Sequence, residues 1–376
     1  MSTKILTVFA AYDRMFCMNI FYDNIVFWLQ RSGGISRYWQ ELASRFIADS
    51  GCRITFIEQK GESGNKFRGT LDVKNVLYDS NLPVKINRYL PVRLPLEKGC
   101  VFHSSYYRDC TDLRAAKIVT LHDFTYEIYA RGLKRVVHTA QKRAAVQRAD
   151  GVICISQNTK KDLLHFFPET DPEKVTVVQN GVGDDFRPSE KSRDEIFAEF
   201  GLAPDNYAVF MGERSGYKNF DTAVKSCALS GHFLLVLGGR AVTDEEKALL
   251  DSELKDRYRI FGYMTNEQIR DIFSAADCLL YPSLYEGFGL PVLEAMRCGC
   301  PVIASDCSSL PEAAGDAGIL VEDMTPHGFA EALQSVGGRR AELMAKGFAH
   351  SAKFSWDRCF AETKAFYETI LAKKSL

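Results

Sequence analysis

The chain has 376 residues, 47 Lys+Arg against 48 Asp+Glu, and 46% hydrophobic residues. That length fits two domains of ordinary size, and the apolar content excludes a mainly disordered chain. No apolar run approaches the roughly 18 residues of a membrane-spanning helix, and residues 1–17 do not read as a secretory leader because Asp13 and Arg14 interrupt the apolar stretch. Charge is uneven. Residues 1–180 carry 26 basic and 18 acidic side chains, a balance of +8, which leaves −9 for the remainder. A basic first half points to an anionic partner. No aromatic-rich motif accompanies the basic residues, so a phosphate-bearing substrate or an anionic lipid surface is expected rather than nucleic acid. Eleven scattered cysteines, with Cys298 and Cys300 in a CxC but no CxxC, read as small buried hydrophobes of a reduced compartment. Neither disulfides nor zinc are expected.

Short apolar runs alternate with amphipathic stretches, the grammar of α/β folds with parallel sheets. Residues 4–11 read as an extra edge strand or as an upstream extension. Strands follow at 18–22 and 52–58, with a helix over 35–48 opened by Gly33 and Gly34. Short strands are expected at 101–104, 117–121, 151–155 and 175–178, with helices over 134–148 and 158–166. In the second half, strands are expected at 207–211, 233–237, 258–261, 278–281, 302–304 and 318–321. The helices between them are placed at 220–229, 244–254, 266–275, 290–297 and 326–336. The pattern breaks near 183–199, at Asp184, Asp185 and Pro188. The expected architecture is two doubly wound, Rossmann-like domains facing across a cleft, over 1–183 and 184–355, with a helix over 356–376. That last stretch, with Trp356, Phe360, Phe366 and Ile370 on one side, either closes the second domain or crosses back onto the first. Ligands of such sheets bind at the carboxyl ends of the strands, so a shared ligand belongs in the cleft.

The sharpest motif runs from Tyr281 through Glu286, Gly287, Phe288, Gly289, Leu290 and Pro291 to Glu294. A strand ends, Glu286 sits in the turn, and a helix begins at Leu290. Such a helix start offers free amides and a positive dipole end to phosphate. Eight residues at helical rise separate the two glutamates by roughly 12 Å, a span like that from hexose to ribose in a nucleotide-sugar. Arg214 and Lys218 flank a glycine turn at the end of the first strand of the second half, where two cations suit a diphosphate. Gly33 and Gly34 do not form a dinucleotide fingerprint. His122 ends a strand of the first half, placed to hydrogen-bond a substrate hydroxyl, and His103 ends the preceding strand.

Glu286 and Glu294 with the Gly-Phe-Gly-Leu-Pro run, Arg214 and Lys218, Gly33 to Tyr38, Ile155-Ser156 and Asn180 to Val182 together resemble retaining glycosyltransferase family 4, of the GT-B fold. The sequence is most similar to bacterial mannosyltransferase-like enzymes of surface polysaccharide assembly. The resemblance implies an acceptor-side first domain and a second domain that holds a GDP- or UDP-sugar. On it, Glu294 binds the ribose, Glu286 the transferred sugar, and Arg214 with Lys218 the diphosphate. The amides of Phe288, Gly289 and Leu290 complete these contacts, the backbone around Tyr263 reads the base, Gly34 approaches the phosphates, and His122 meets the donor sugar. It also implies a metal-independent, cofactor-free reaction, with a glycan or lipid-linked acceptor.

The two glutamates are too far apart for the carboxylate pair of a double-displacement glycosidase, so same-face attack is expected. A GT-B sugar-nucleotide epimerase and a non-catalytic nucleotide-sugar binding protein are the alternatives. Arg131, Lys134, Arg135, His138, Lys142, Arg143 and Arg148 fall on or just before one predicted helix. They suggest a cytoplasmic protein held peripherally at the anionic inner face of the membrane.

Overall fold

The computed structural model describes residues 18–203, 205–214 and 216–374; the strand considered for residues 4–11 lies outside them. The first sheet contains β1 (Met18–Asp23), β2 (Cys52–Glu58), β3 (Val76–Tyr78), β4 (Val101–Ser104), β5 (Ala116–Leu121), β6 (Gly151–Cys154) and β7 (Val175–Val177). The second contains β8 (Tyr207–Met211), β9 (Phe233–Leu237), β10 (Tyr258–Phe261), β11 (Cys278–Tyr281), β12 (Val302–Ser305) and β13 (Ile319–Val321). Their orders are β3-β2-β1-β4-β5-β6-β7 and β10-β9-β8-β11-β12-β13, and every pairing is parallel. Central strands such as β5 and β11 are buried at every position, which is why they read as unbroken apolar runs. Both sheets reverse direction of growth at the same relative place, between β1 and β4 and between β8 and β11. A crevice therefore opens beyond the carboxyl ends of those strands.

Six helices concern the site: α1 (Gly34–Ala48), α2 (Gly132–Arg148), α3 (Gln157–Phe166), α4 (Leu290–Arg297), α5 (Pro326–Ser351) and α6 (Trp356–Lys374). Short helices such as Val26–Leu29, Thr125–Tyr129 and Arg193–Glu199 go beyond the sequence reading, and two longer-reaching differences concern β3 and α5. The three-residue edge strand β3 was too short and exposed to announce itself. Helix α5 runs to Ser351, past Gly337 and Gly338, where the sequence suggests a stop. Each glycine costs about 1 kcal/mol against alanine. Burial of Phe329, Leu333 and Val336 before them and Leu343 after them outweighs that cost.

Helix α6 crosses back onto the first domain. Its Trp356, Cys359, Tyr367 and Ile370 join the core formed by Tyr22, Trp39, Phe46 and Phe56. The Tyr367 hydroxyl meets Tyr22 Oη at 3.1 Å and His103 Nδ1 at 2.5 Å, and His103 Nε2 lies 2.9 Å from Thr120 Oγ1. His103 is therefore a satisfied core residue. At the crossing, Val182 N donates to Phe354 O at 3.3 Å. A Cβ on Gly181 would lie 2.1 Å from Trp356 N, so only glycine lets the two chain segments pass.

Candidate active site

The crevice between β8 and β11 is built by the turns that follow those strands. Lys218 comes from the first turn and Glu286 from the second, and Lys218 Nζ donates to Glu286 Oε1 at 2.6 Å and to Tyr281 Oη at 3.0 Å. Burial works against the ammonium, but the facing Tyr281 and Glu286 outweigh it and raise its pKa. The Glu286 backbone is clamped from behind: its N–H donates to Ser308 Oγ, and its carbonyl accepts from Ser308 and Ser309 at 2.7 and 2.9 Å. Helix α4 then starts at Leu290 after Gly289, whose φ of +109° favours glycine. The amides of Phe288, Gly289 and Leu290 make no hydrogen bond among the described residues. They add donors to the positive end of α4.

Glu294 lies one turn into α4, half-buried. Desolvation pushes its carboxyl up to about 7, with Arg37 of α1 opposing the shift and Asp185 adding to it. The two glutamates thus have different surroundings, Lys218 and Tyr281 at one and Arg37 and Asp185 at the other.

The first domain meets this loop backbone to backbone. A Cβ on Gly287 would sit 1.8 Å from His122 O, and the Gly287 carbonyl accepts from Ser156 and Thr159 at 2.8 and 3.2 Å. Ser156 also caps α3, accepting from Thr159 N. The His122 ring is edge-on to Tyr38 at 5.0 Å, and burial lowers its pKa to about 4, which makes it neutral at pH 7. Its Nε2 is buried with no partner among the described residues, a state that folded proteins seldom leave unexplained. Gly34 opens α1 with empty space where a side chain would stand. Tyr263 is 74% exposed, with Lys66 Nζ of the first domain 3.0 Å above its ring.

Two expectations come out differently in the geometry. The Arg214 guanidinium is fully buried and turned away from Lys218: Nε donates to Glu246 at 3.0 Å, Nη1 to Gly238 O at 3.1 Å, and Nη2 to Arg240 O. Nor does α2 present a single basic face. Lys142 is buried, donating to Glu127 at 2.6 Å and to Asp123 O at 2.8 Å; His138 is buried too, and Arg143 and Arg148 pair with Glu169 and Asp109. Arg143 and Arg148 stay exposed beside those partners, and Arg131, Lys134 and Arg135 are exposed next to Leu133 and Val136.

The family model for Glycosyltransferase Family 4 matches residues 32–186, and that for Glycosyl transferases group 1 matches residues 192–342. The alpha-maltose-1-phosphate synthase of Mycobacterium tuberculosis is 30% identical over 63% of this chain and 67% of that protein. The chain belongs to the family 4 glycosyltransferases. The O-antigen chain mannosyltransferase B of Escherichia coli is 26% identical over 76% of this chain and 73% of its own length. Among solved structures, sucrose-phosphate synthase from Thermosynechococcus elongatus superposes with a TM-score of 0.74 at 20% identity, covering 95% of this chain and 100% of that one. Anabaena HepE with UDP-glucose gives 0.68 at 16% identity, covering 94% and 99%. The fold of this glycosyltransferase is GT-B, two parallel-sheet domains facing across a cleft.

Sequence reasoning missed how the glycosyltransferase joins its halves. The Tyr285 hydroxyl accepts from Phe124 N at 2.9 Å and donates to Asp162 at 2.7 Å, both in the first domain. A tyrosine one residue before Glu286 was the available signal. Among the described residues no group of three or more His, Cys, Asp and Glu side chains is placed to hold a metal ion, and no helix is long and apolar enough to cross a membrane.

Proposed function

We propose that this glycosyltransferase moves a hexose, with mannose from GDP-mannose favoured, onto a glycan or lipid-linked oligosaccharide with retention of configuration. The Lys218–Glu286 pair beside the unbonded amides at the start of α4 carries the reading. Glu286 accepts from the hexose hydroxyls, the amides and Lys218 take the diphosphate, and Glu294 accepts from the ribose hydroxyls. His122 Nε2 supports a contact to the donor sugar, and the open start of α1 at Gly34 supports approach of the phosphates. Tyr263 stands at the base end. Arg214 acts at one remove, holding the Gly238–Arg240 turn. The relatives named mannosyltransferase favour mannose.

In the step proposed, the C1–O bond to the diphosphate breaks and the acceptor oxygen bonds C1 on the same face. The acceptor proton passes to the departing phosphate oxygen, and Lys218 stabilises the growing negative charge where water is excluded. No metal is assigned a part. A thermal-shift panel of GDP-mannose, UDP-glucose and ADP-glucose tests the donor, since a ligand at a hundredfold excess over Kd adds about 2.7 kcal/mol. No shift with any of them overturns the reading. NMR of the product anomer tests retention, and a trapped glycosyl–enzyme adduct counts against same-face attack.

The exposed Leu133 and Val136 beside Arg131, Lys134 and Arg135 support peripheral docking on an anionic leaflet, worth about 1 kcal/mol per basic residue. Co-sedimentation with anionic vesicles that high salt abolishes is expected. Equal binding to neutral vesicles overturns it.

A further inference from the structure

Two tyrosines from opposite domains stack across the cleft. The rings of Tyr129 and Tyr217 lie 5.3 Å apart, 29° from parallel. Tyr129 ends the short helix Thr125–Tyr129 and is 40% exposed, so part of its ring remains open to solvent. Its mounting is rigid. Within that helix Glu127 is buried, accepting from Lys142 at 2.6 Å and from Thr139 at 3.1 Å. The Tyr285 ring, 6.4 Å away, backs it from the second domain. Tyr217 is held by its carbonyl, which accepts from Leu284 N at 2.8 Å, and its neighbour Lys218 grips Glu286.

We propose that the stacked Tyr129–Tyr217 pair is the acceptor subsite, a platform for the pyranose ring that receives the transferred sugar. The inference rests on reading the Lys218–Glu286 crevice as the hexose site. The platform stands at the Glu286 end of the motif, since Tyr217 directly precedes Lys218, which holds Glu286 at 2.6 Å, and the Tyr285 ring 6.4 Å from Tyr129 directly precedes Glu286. Glu294, assigned to the nucleotide, instead faces Arg37 and Asp185. What binds beyond the hexose, away from the nucleotide, is the acceptor. An aromatic face carries partial negative charge and attracts the C–H face of a sugar ring while excluding water. It offers nothing to a diphosphate.

A nucleobase also stacks on aromatic rings, so the test separates the two. With GDP-mannose as donor and p-nitrophenyl α-mannopyranoside as acceptor, Tyr129→Ala raises the acceptor KM about tenfold, the size of one good aromatic contact. The donor KM stays within about twofold, whereas Tyr129→Phe, which keeps the ring, leaves the acceptor KM near wild type. A parallel rise in the donor KM, or an unmoved acceptor KM, overturns the proposal. Tyr217→Ala, in the other domain, repeats the measurement should Tyr129→Ala fail to fold. Saturation-transfer NMR with methyl α-mannopyranoside and no donor reads the platform without turnover. Signal in the wild type that both alanine variants lose supports it, and no signal in the wild type, or signal kept in the variants, overturns it. This arm stands even if the donor assignment fails.

Discussion

The two ends of the motif segment carry the same side chain in opposite conditions. Glu286 is tied to Lys218 at 2.6 Å. The carboxylate of Glu294, one turn inside α4, has no hydrogen-bond partner among the described residues, and desolvation pushes its pKa up to about 7. A paired carboxylate can exchange its lysine for substrate hydroxyls without a change of charge. An unpaired, desolvated one gains most when a ligand supplies the missing donors. On the proposed function, Glu286 and Lys218 belong to the chemistry and Glu294 to affinity.

The largest expected effect removes the frame on which both ends hang. Gly287→Ala places a methyl group 1.8 Å from a backbone carbonyl that cannot yield. A 1 Å misplacement already costs about 10²-fold, so no measurable turnover is expected, and wild-type rates would show that the domains do not meet there. Lys218→Ala is next, with kcat down about 10²–10³-fold, as for loss of a donor to a developing oxyanion. Arg214→Ala sharpens the contrast between the two cations: its main loss is stability, about 3 kcal/mol for opening a buried charge network. Equal losses of kcat in the two variants, without a fall in stability for Arg214→Ala, would return Arg214 to the diphosphate.

Glu294→Ala should weaken nucleoside diphosphate binding by about 1.5–3 kcal/mol with less effect on kcat; unchanged affinity removes Glu294 from the site. The smallest effect is the pH dependence. Between the ordinary glutamate value of 4.5 and about 7, the folded chain keeps a proton that the unfolded chain has released. Stability therefore falls as pH rises through that window and levels off above it. On the proposed role of the Glu294 carboxylate, donor binding strengthens in the opposite sense, with KM falling about tenfold from pH 6 to pH 8. Glu294→Gln flattens both profiles. A flat wild-type profile breaks the comparison.

The two sheets were legible because parallel strands buried on both faces leave apolar runs, and β8 and β11 could be placed almost to the residue. Lys218 and Glu286 were legible because each stands in a turn just after a strand. The interior of the first domain was less so. Lys142, one basic residue among the seven on or just before α2, is buried because Glu127 and Asp123 O lie opposite it, and those partners come from outside its own helix. Arg214 was read by its place after β8, but the Glu246 that turns it inward comes from another element. Tyr129 and Tyr217 lie in different domains, so no local pattern links them.

Helix α6 has a consequence for synthesis. Trp356, Cys359, Tyr367 and Ile370 complete a core whose other buried members lie before residue 180. A chain emerging from the ribosome therefore presents all seven strands of its first sheet while the residues that seal it are still unmade. At ~5–20 residues per second, about 200 further residues take on the order of ten seconds or more. During that interval Tyr22, Trp39 and Phe46 lack their cover. The first domain is thus the last to be finished, and deletion of α6 should reduce soluble yield more than it disturbs the second domain's own fold.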